Sequence, residues 1–124
     1  MAAIGAVFYP LWQFLGYAVP AKPRQIEVHK SLKAGGFLLT EDFILFEGAA
    51  GPWAVSRRCT HLGCRLNYQQ QEDLLLCPCH QSRFTTTGRR ISGPAQRDLA
   101  NFQVERIGDG AQDGAAGQGY IVTI

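Results

Sequence analysis

All four cysteines of this 124-residue chain, and two of its three histidines, fall between Cys59 and His80. They form two boxes, CTHLGC starting at Cys59 and CPCH starting at Cys77, with 15 residues between His61 and Cys77. Both boxes place a thiolate and an imidazole on a tight turn, where two side chains can converge on one metal site. Two such turns brought together supply four ligands. The fold must therefore bring the two boxes close to each other.

Composition excludes two other classes of protein. Lys and Arg number 12 against 10 for Asp and Glu, and a formal net charge of +2 is too small for a nucleic-acid binder held by phosphate contacts. Hydrophobic residues make up 46% of the chain and charged residues 18%, which excludes intrinsic disorder. The length leaves room for one domain of ordinary size. We therefore expect a single folded head that carries both boxes.

The N-terminal segment differs from the rest of the chain in composition. The first 21 residues carry no charge, so all 22 charges fall in the remaining 103 residues. As a helix, Met1 to Val19 would reach roughly 28 Å, close to the thickness of a bilayer core. A secretory signal, the alternative, would need a basic start, and no Lys or Arg precedes Lys22. The segment therefore predicts a transmembrane anchor helix over residues 1–19.

The remainder of the chain predicts an all-β fold. Pro20 and Pro23 can neither continue a helix nor pair in the centre of a sheet, which predicts a hinge linker over residues 20–24. Residues 25–124 then form the domain, with short strand-like runs separated by Gly and Pro turn signals, as in a small antiparallel sandwich or barrel. Five glycines between positions 108 and 119 predict a hairpin loop before the last strand. The predicted strands are Gln25 to His29, Phe37 to Thr40, Phe43 to Glu47, Trp53 to Arg57, Leu74 to Leu76, a short one at Ile91, Phe102 to Ile107 and Tyr120 to Ile124.

The two boxes, followed by Ser82 and by Gly93-Pro94-Ala95, resemble those of Rieske iron–sulfur proteins, specifically those of cytochrome bc-type quinol oxidoreductases. The order of parts is similar too, from an apolar anchor and linker through strands to the boxes, so the resemblance spans nearly the whole chain. Spacing alone leaves a structural zinc site open, because two thiolates and two imidazoles also suit zinc. The resemblance favours a [2Fe–2S] cluster, held by a cluster-binding loop subdomain of the all-β domain.

The resemblance implies a role for each ligand. It makes Cys59 and Cys77 thiolate ligands of one iron, and His61 and His80 imidazole ligands of the other. Neutral imidazoles in place of two thiolates remove negative charge and raise the reduction potential to about −150 to +300 mV. The outer nitrogens of the two imidazoles can lose a proton, so His61 and His80 are also the residues expected to couple electron transfer to proton transfer. Quinol oxidation requires this coupling.

Other residues of the boxes also receive roles from the resemblance. Cys64 and Cys79 match a disulfide that ties the two cluster loops together, in keeping with an oxidising compartment. Leu62 matches a side chain that covers the cluster, the alternative being an ordinary core leucine.

Three further positions bear on the reduction potential. Ser82 matches a hydroxyl that donates to a bridging sulfide of the cluster and so raises the reduction potential. Phe84 stands where the high-potential members that resemble this chain have a tyrosine, so one donor is missing and a lower potential is expected, suited to a donor such as menaquinol. Gln81 stands where many members have glycine.

The resemblance implies a membrane-anchored electron-transfer subunit of a quinol–cytochrome c oxidoreductase. Its head, on the periplasmic or equivalent oxidising side of an energy-transducing membrane, would take an electron from quinol at a cytochrome b subunit. It would swing on the linker and pass the electron to the haem of a c-type cytochrome. The alternative is the Rieske small subunit of a molybdenum enzyme such as arsenite oxidase. Soluble Rieske ferredoxins should lack both the disulfide and the anchor.

Overall fold

The structure, a computed structural model, describes residues 2–108 and 119–124. Met1, the first residue of the predicted anchor, lies outside the described residues. So does the predicted hairpin loop, apart from its end residues Gly108 and Gly119.

The N-terminal helix is shorter than the sequence predicts. Helix α1 spans Ala2–Leu15, 14 residues with Pro10 inside it. The Gly16 N–H still donates to the carbonyl of Trp12, but the N–H of Tyr17 reaches back only three residues, so the last turn tightens and the helix ends. The predicted anchor helix over 1–19 is therefore wrong in length. None of the helices in the described part of the chain has the length and apolar character that a membrane span requires.

The all-β prediction for the rest of the chain is confirmed. The described residues form ten strands, and every paired neighbour is antiparallel. The strands are β1 (Gln25–Val28), β2 (Phe37–Leu39), β3 (Phe43–Gly48), β4 (Gly51–Ser56), β5 (Asn67–Gln69), β6 (Leu74–Leu76), β7 (Arg83–Thr85), β8 (Arg90–Ser92), β9 (Asn101–Ile107) and β10 (Gly119–Thr123).

Within the described residues, the strands form two sheets. One has six strands in the order β1-β10-β9-β4-β3-β2, and the other has four in the order β5-β6-β7-β8. The polypeptide leaves the first sheet after β4 and returns to it at β9, so the whole second sheet is an insertion between these two paired strands. Both cysteine boxes belong to this insertion.

Strand β3 is buried on both faces, because its first five residues are buried and four of them are large and apolar. Alternation along the strand sends Ile44 and Phe46 to one side and Phe43 and Leu45 to the other. The first pair belongs to a core cluster that also contains buried residues of the inserted sheet. The second pair packs with residues of β1 and β10. The core shared with β3 fixes the insertion against the large sheet.

Strands β5 and β7 were not predicted from the sequence. Each has three residues and one large apolar side chain, Tyr68 in β5 and Phe84 in β7. A segment this short cannot display the alternation of apolar and polar residues by which a strand is recognised in a sequence. Tertiary contacts explain both strands. The ring of Tyr68 packs on Phe37 and Phe46 with centroids 4.7 and 5.2 Å apart, and Phe84 is fully buried.

Candidate metal centre

The first box forms a closed six-residue loop just after β4. The N–H of Cys59 donates to the carbonyl of Cys64 at 2.8 Å, and the N–H of Gly63 donates back to the carbonyl of Cys59 at 2.9 Å. Gly63 has a φ of +78°, a conformation that glycine adopts at little cost. The loop thereby returns the chain to where it started and points its tip outward.

The second box forms a loop with the same hydrogen bonds between β6 and β7. The N–H of Cys77 donates to the carbonyl of Ser82 at 2.8 Å, and the N–H of Gln81 donates to the carbonyl of Cys77 at 3.0 Å. Gln81 has a φ of +61°, which is unusual for a residue with a side chain. The site is thus built from two loops of equal length and similar backbone pairing.

A disulfide joins the two loops. Cys64, the last residue of the first loop, is bonded to Cys79 in the second, with their Cα atoms 6.5 Å apart. The predicted disulfide is confirmed.

Two buried thiols lie behind the disulfide. Cys59 and Cys77 are free cysteines with 3% and 1% of their surface exposed, and both belong to one buried core cluster. Burial raises the pKa of the Cys59 thiol, and the adjacent Cys77 thiol raises it further. Hydrogen bonds donated by the backbone N–H of His61 and the hydroxyl of Ser82 act in the opposite direction on that pKa. The site therefore already supplies donors to a negatively charged sulfur at Cys59.

Two imidazoles lie together at the same site. The rings of His61 and His80 are in edge-to-face contact, with centroids 4.8 Å apart. Among the described residues, the Nδ1 atom of His61 is the one buried side-chain nitrogen or oxygen without a hydrogen-bond partner. An unsatisfied buried polar atom costs about 1–3 kcal/mol, and an imidazole nitrogen is a common metal ligand. Two buried thiols and two adjacent imidazoles, one with an orphaned nitrogen, fit a metal centre of mixed sulfur and nitrogen ligands.

A second group of metal-binding atoms proves not to be a separate site. The sulfurs of Cys64, Cys77 and Cys79 lie within 4.8 Å of one another. Because Cys64 and Cys79 are bonded to each other, only Cys77 can offer a thiolate. The group instead shows how close the disulfide lies to Cys77.

A third loop, Gly93-Pro94-Ala95, packs against the second box. The N–H of Ala95 donates to the hydroxyl oxygen of Ser82 at 3.1 Å, and Ser82 is fully buried. A Cβ on Gly93 would lie 2.5 Å from the Cα of Ser82, so the backbones approach closely only because position 93 is glycine. This loop fixes the orientation of the Ser82 hydroxyl.

Sequence reasoning missed two side chains that hold this third loop. The Arg90 guanidinium donates to the carbonyls of Ala95 and Gly93, and its backbone N–H donates to Asp98 at 2.8 Å. The Thr60 hydroxyl, in the first box, donates to the carbonyl of Arg97 at 2.7 Å. Neither residue stands out in the sequence, because each bonds to backbone carbonyls that the fold brings near.

The remaining predicted site residues lie at different depths. Leu62 is 68% exposed at the tip of the first loop. Phe84 is fully buried and belongs to the same core cluster as Cys59 and Cys77. The roles assigned to both remain predictions.

Comparison with known proteins gives consistent matches. A family model described as the Rieske [2Fe-2S] domain matches residues 19–103. The cytochrome b6-f complex iron-sulfur subunit of Chlorobaculum tepidum is 44% identical over 57 residues, 46% of this chain and 31% of that protein. The corresponding subunit of Chlorobaculum thiosulfatiphilum is 36% identical over 74 residues, 59% of this chain and 41% of that protein.

The match therefore spans less than half the length of either relative. Among solved structures, the plasma membrane Rieske protein of the cyanobacterium Synechocystis PCC 6803 is 26% identical, with a TM-score of 0.42, over 66% of this chain and 86% of that one.

Proposed function

The chain belongs to the Rieske [2Fe-2S] domain family, and from that premise we propose that it is the electron-transfer subunit of a membrane quinol–cytochrome c oxidoreductase of the cytochrome bc type. In this proposal Cys59 and Cys77 hold one iron of the cluster, and His61 and His80 hold the other. The observation that carries the ligand set is the orphaned, buried Nδ1 of His61 beside the His80 ring and the two buried thiols.

When bound, a [2Fe–2S] cluster with two imidazole ligands supplies a one-electron couple at a higher potential than four thiolates give. Residues of the chain provide the surroundings of the cluster and a group that exchanges a proton. The buried thiols face the core, where bulk water is excluded, and the Ser82 hydroxyl donates a hydrogen bond to the Cys59 sulfur. With the buried Nδ1 of His61 used as a ligand, its Nε2 is left as the atom that exchanges a proton with quinol.

The position of His80 supports direct contact with a partner. His80 and its neighbours Pro78 and Cys79 are exposed, and so is Leu62 on the facing loop. A donor or acceptor can therefore approach the imidazole edge without any opening of the core. We propose that this tip meets quinol, including menaquinol, at a cytochrome b subunit and later a c-type haem.

Membrane association is part of the same proposal. Relatives of this chain are named as subunits of cytochrome b6-f complexes. Helix α1 exposes Phe8, Trp12, Phe14 and Leu15, each at least 60% exposed, which suits contact with lipid or with apolar partner helices. We propose that α1 makes this contact and that the head lies on the oxidising side of the membrane.

The linker is proposed to act as the hinge. Residues 20–23 form neither helix nor strand and are exposed. At Arg24 both backbone groups pair with Ile124 at 2.9 Å, so the head begins there. Rotation of the head would therefore be absorbed before Arg24.

The Rieske subunit of a molybdenum oxidoreductase such as arsenite oxidase remains the alternative. Co-purification from the native membrane separates the two. A cytochrome b subunit in stoichiometric amount supports the proposal, whereas a molybdopterin subunit in its place overturns it in favour of the alternative.

A metal and EPR analysis tests the ligand set. We expect about two irons and two acid-labile sulfides per chain, and a rhombic EPR spectrum on reduction. Cys59→Ser and His80→Ala should abolish that spectrum, while His29→Ala, which changes an exposed histidine outside the boxes, should retain it. Stoichiometric zinc without sulfide would contradict the proposal.

A further inference from the structure

The four cysteine sulfurs form one continuous group. The sulfur of Cys77 lies within 4.8 Å of both sulfurs of the Cys64–Cys79 disulfide. Cys77 also belongs to the same buried core cluster as Cys59, and the Cys77 thiol is close enough to raise the pKa of the Cys59 thiol. Cys77 therefore stands between an existing disulfide and a second free thiol, which is the arrangement that thiol–disulfide exchange requires.

Burial restricts what these thiols can react with. Cys59 and Cys77 are 3% and 1% exposed, so a thiol, a disulfide or a redox protein in solution does not reach them. Cys79 is exposed and Cys64 is half-buried. Because the chain has four cysteines in all, the reactions open to the two buried thiols are with each other and with the one disulfide.

We propose that, before a cluster is inserted, Cys77 exchanges with the disulfide and transfers it inward, to a Cys59–Cys77 disulfide. In the first step Cys77 loses its thiol proton, and its sulfur forms a bond to the sulfur of Cys64. The Cys64–Cys79 bond breaks, and the electron pair and a proton go to Cys79. Cys79 is the better leaving group because it is exposed, and water can solvate the departing sulfur.

The second step completes the transfer. Cys59 loses its proton and its sulfur bonds to Cys77, while the Cys64–Cys77 bond breaks and Cys64 takes the electron pair and a proton. The chain starts and ends with one disulfide and two thiols, so no external oxidant or reductant is consumed. Before the exchange the two free thiols are those of the buried Cys59 and Cys77. After it they are those of Cys64 and Cys79, which lie nearer the surface and are better hydrated.

The exchange has a consequence for cluster insertion, and this consequence rests on the proposed ligand set. The product lacks both thiolates, and its disulfide joins the two loops at their buried first residues instead of through Cys64 and Cys79. Conversely, once Cys59 and Cys77 hold a cluster, the chain has no free thiol left to attack the disulfide. Insertion and exchange therefore compete for the same two sulfurs.

Disulfide mapping on the wild-type chain tests the exchange. The cluster is removed with acid and chelator under argon, and the protein is returned to neutral pH. Samples taken over time are quenched in acid and alkylated. Trypsin cleaves after Arg58, Arg65 and Arg83, so one peptide carries Cys59 and Cys64 and the other carries Cys77 and Cys79. The two disulfide-linked peptides have the same total mass before and after the exchange, because one disulfide and two alkylated cysteines are present in both cases. Fragmentation of the linked peptides must therefore show which cysteines are alkylated.

We expect alkylation to move from Cys59 and Cys77 to Cys64 and Cys79, with the total of two free thiols unchanged. Protein kept loaded with cluster for the same time should retain the Cys64–Cys79 link. The proposal would be overturned if alkylation stays on Cys59 and Cys77 while the far-ultraviolet circular dichroism spectrum shows that the protein is still folded. It would also be overturned by a fall in total thiols, which indicates external oxidation, or by a statistical mixture of pairings, which indicates an unfolded chain.

Two variants separate the steps. Cys59→Ser should stop at the first step and accumulate a Cys64–Cys77 disulfide with Cys79 alkylated. Cys77→Ser should leave the Cys64–Cys79 disulfide intact. The wild-type result stands on its own if either variant fails to fold. Failure of the exchange would leave the metal and EPR results untouched, so the two proposals fail independently.

Discussion

Gly63 and Gln81 occupy the same place in two loops with the same hydrogen bonds, and both have a positive φ, 78° and 61°. Each N–H donates to the carbonyl of the cysteine four residues earlier. A residue with a Cβ pays a steric cost in this conformation that glycine avoids. The second loop therefore holds strain at Gln81 that the first loop does not hold at Gly63, and Gln81 is the position just after the CPCH box where many Rieske proteins have glycine.

Replacing the strained residue should stabilise the protein. We expect Gln81→Gly to raise the free energy of unfolding by about 1 kcal/mol, because the relief of strain exceeds the greater freedom of glycine in the unfolded chain. Denaturant unfolding of the cluster-loaded head measures the change. Gly63→Ala is the reverse experiment and should destabilise by a similar amount. If Gly63→Ala destabilises while Gln81→Gly does nothing, the strain at Gln81 is offset elsewhere in its loop.

A methyl group on Gly93 should displace Ser82. A Cβ there would lie 2.5 Å from the Cα of Ser82 and 3.0 Å from its hydroxyl oxygen. We expect Gly93→Ala to lower the free energy of unfolding by at least about 2 kcal/mol and to shift the reduction potential as well. Gly35→Ala is a matched control, because Gly35 also has a positive φ, +81°, but its Cβ would meet nothing within 4 Å. Equal losses in the two variants would show that backbone strain alone is responsible.

The Ser82 hydroxyl should raise the reduction potential. It donates a hydrogen bond to the Cys59 sulfur, which favours the more negative, reduced state. A hydrogen bond worth about 1 kcal/mol corresponds to roughly 40 mV for one electron, so Ser82→Ala should lower the potential by about that amount in a redox titration. Ser92→Ala, an exposed serine on β8, serves as the control.

Phe84→Tyr tests the missing donor. Phe84 is fully buried in the core cluster that contains both free cysteines, so a tyrosine hydroxyl there must find a partner inside the protein. We expect the potential to rise by a similar few tens of millivolts. An unchanged potential would mean that the loop containing Gln81 keeps residue 84 away from the sulfur, and the suggestion of a menaquinol donor would then lose its support.

A buried acid on β3, Glu47, should govern stability at low pH. Glu47 is 6% exposed and accepts hydrogen bonds from the Arg106 guanidinium and from the Tyr120 hydroxyl, the latter at 2.7 Å. The hydrogen bond from Arg106 lowers the pKa of Glu47 more than burial raises it. A carboxyl with a lowered pKa in the folded state stabilises the fold above its unfolded pKa, and this stabilisation is lost as the pH falls through the folded value.

We therefore expect wild-type stability to fall below about pH 5, and the stability of Glu47→Gln to be lower at neutral pH, by about 2 kcal/mol, but flatter in acid. Denaturant unfolding at pH 3 to 7 gives both curves. Glu72→Gln removes the same charge from an exposed residue and should follow the wild type. A Glu47→Gln curve parallel to that of the wild type would rule out Glu47 as the titrating group.

Short-range patterns in the sequence predicted the two cysteine boxes and most of the strands. The ligand types and their spacing lie within 22 residues, and Phe43 to Glu47 is apolar enough to predict a buried strand in isolation. The predicted helix was too long because the uncharged, apolar segment continues to Val19, whereas the helical hydrogen-bond pattern ends at the tightened turn after Leu15. Composition carries no information about that turn.

Contacts between residues far apart in the sequence could not be predicted, because they depend on the tertiary structure. Glu47 bonds to Arg106 and Tyr120, 59 and 73 residues away, and Ser82 receives its hydrogen bond from Ala95 in another loop. Such pairs depend on sheet register, which the summed packing of many side chains determines and which no window of neighbouring residues contains. For the same reason, the sequence shows that Cys59 and Cys77 each lie in a short box with a histidine, while the fold brings Cys77 against the Cys64–Cys79 disulfide.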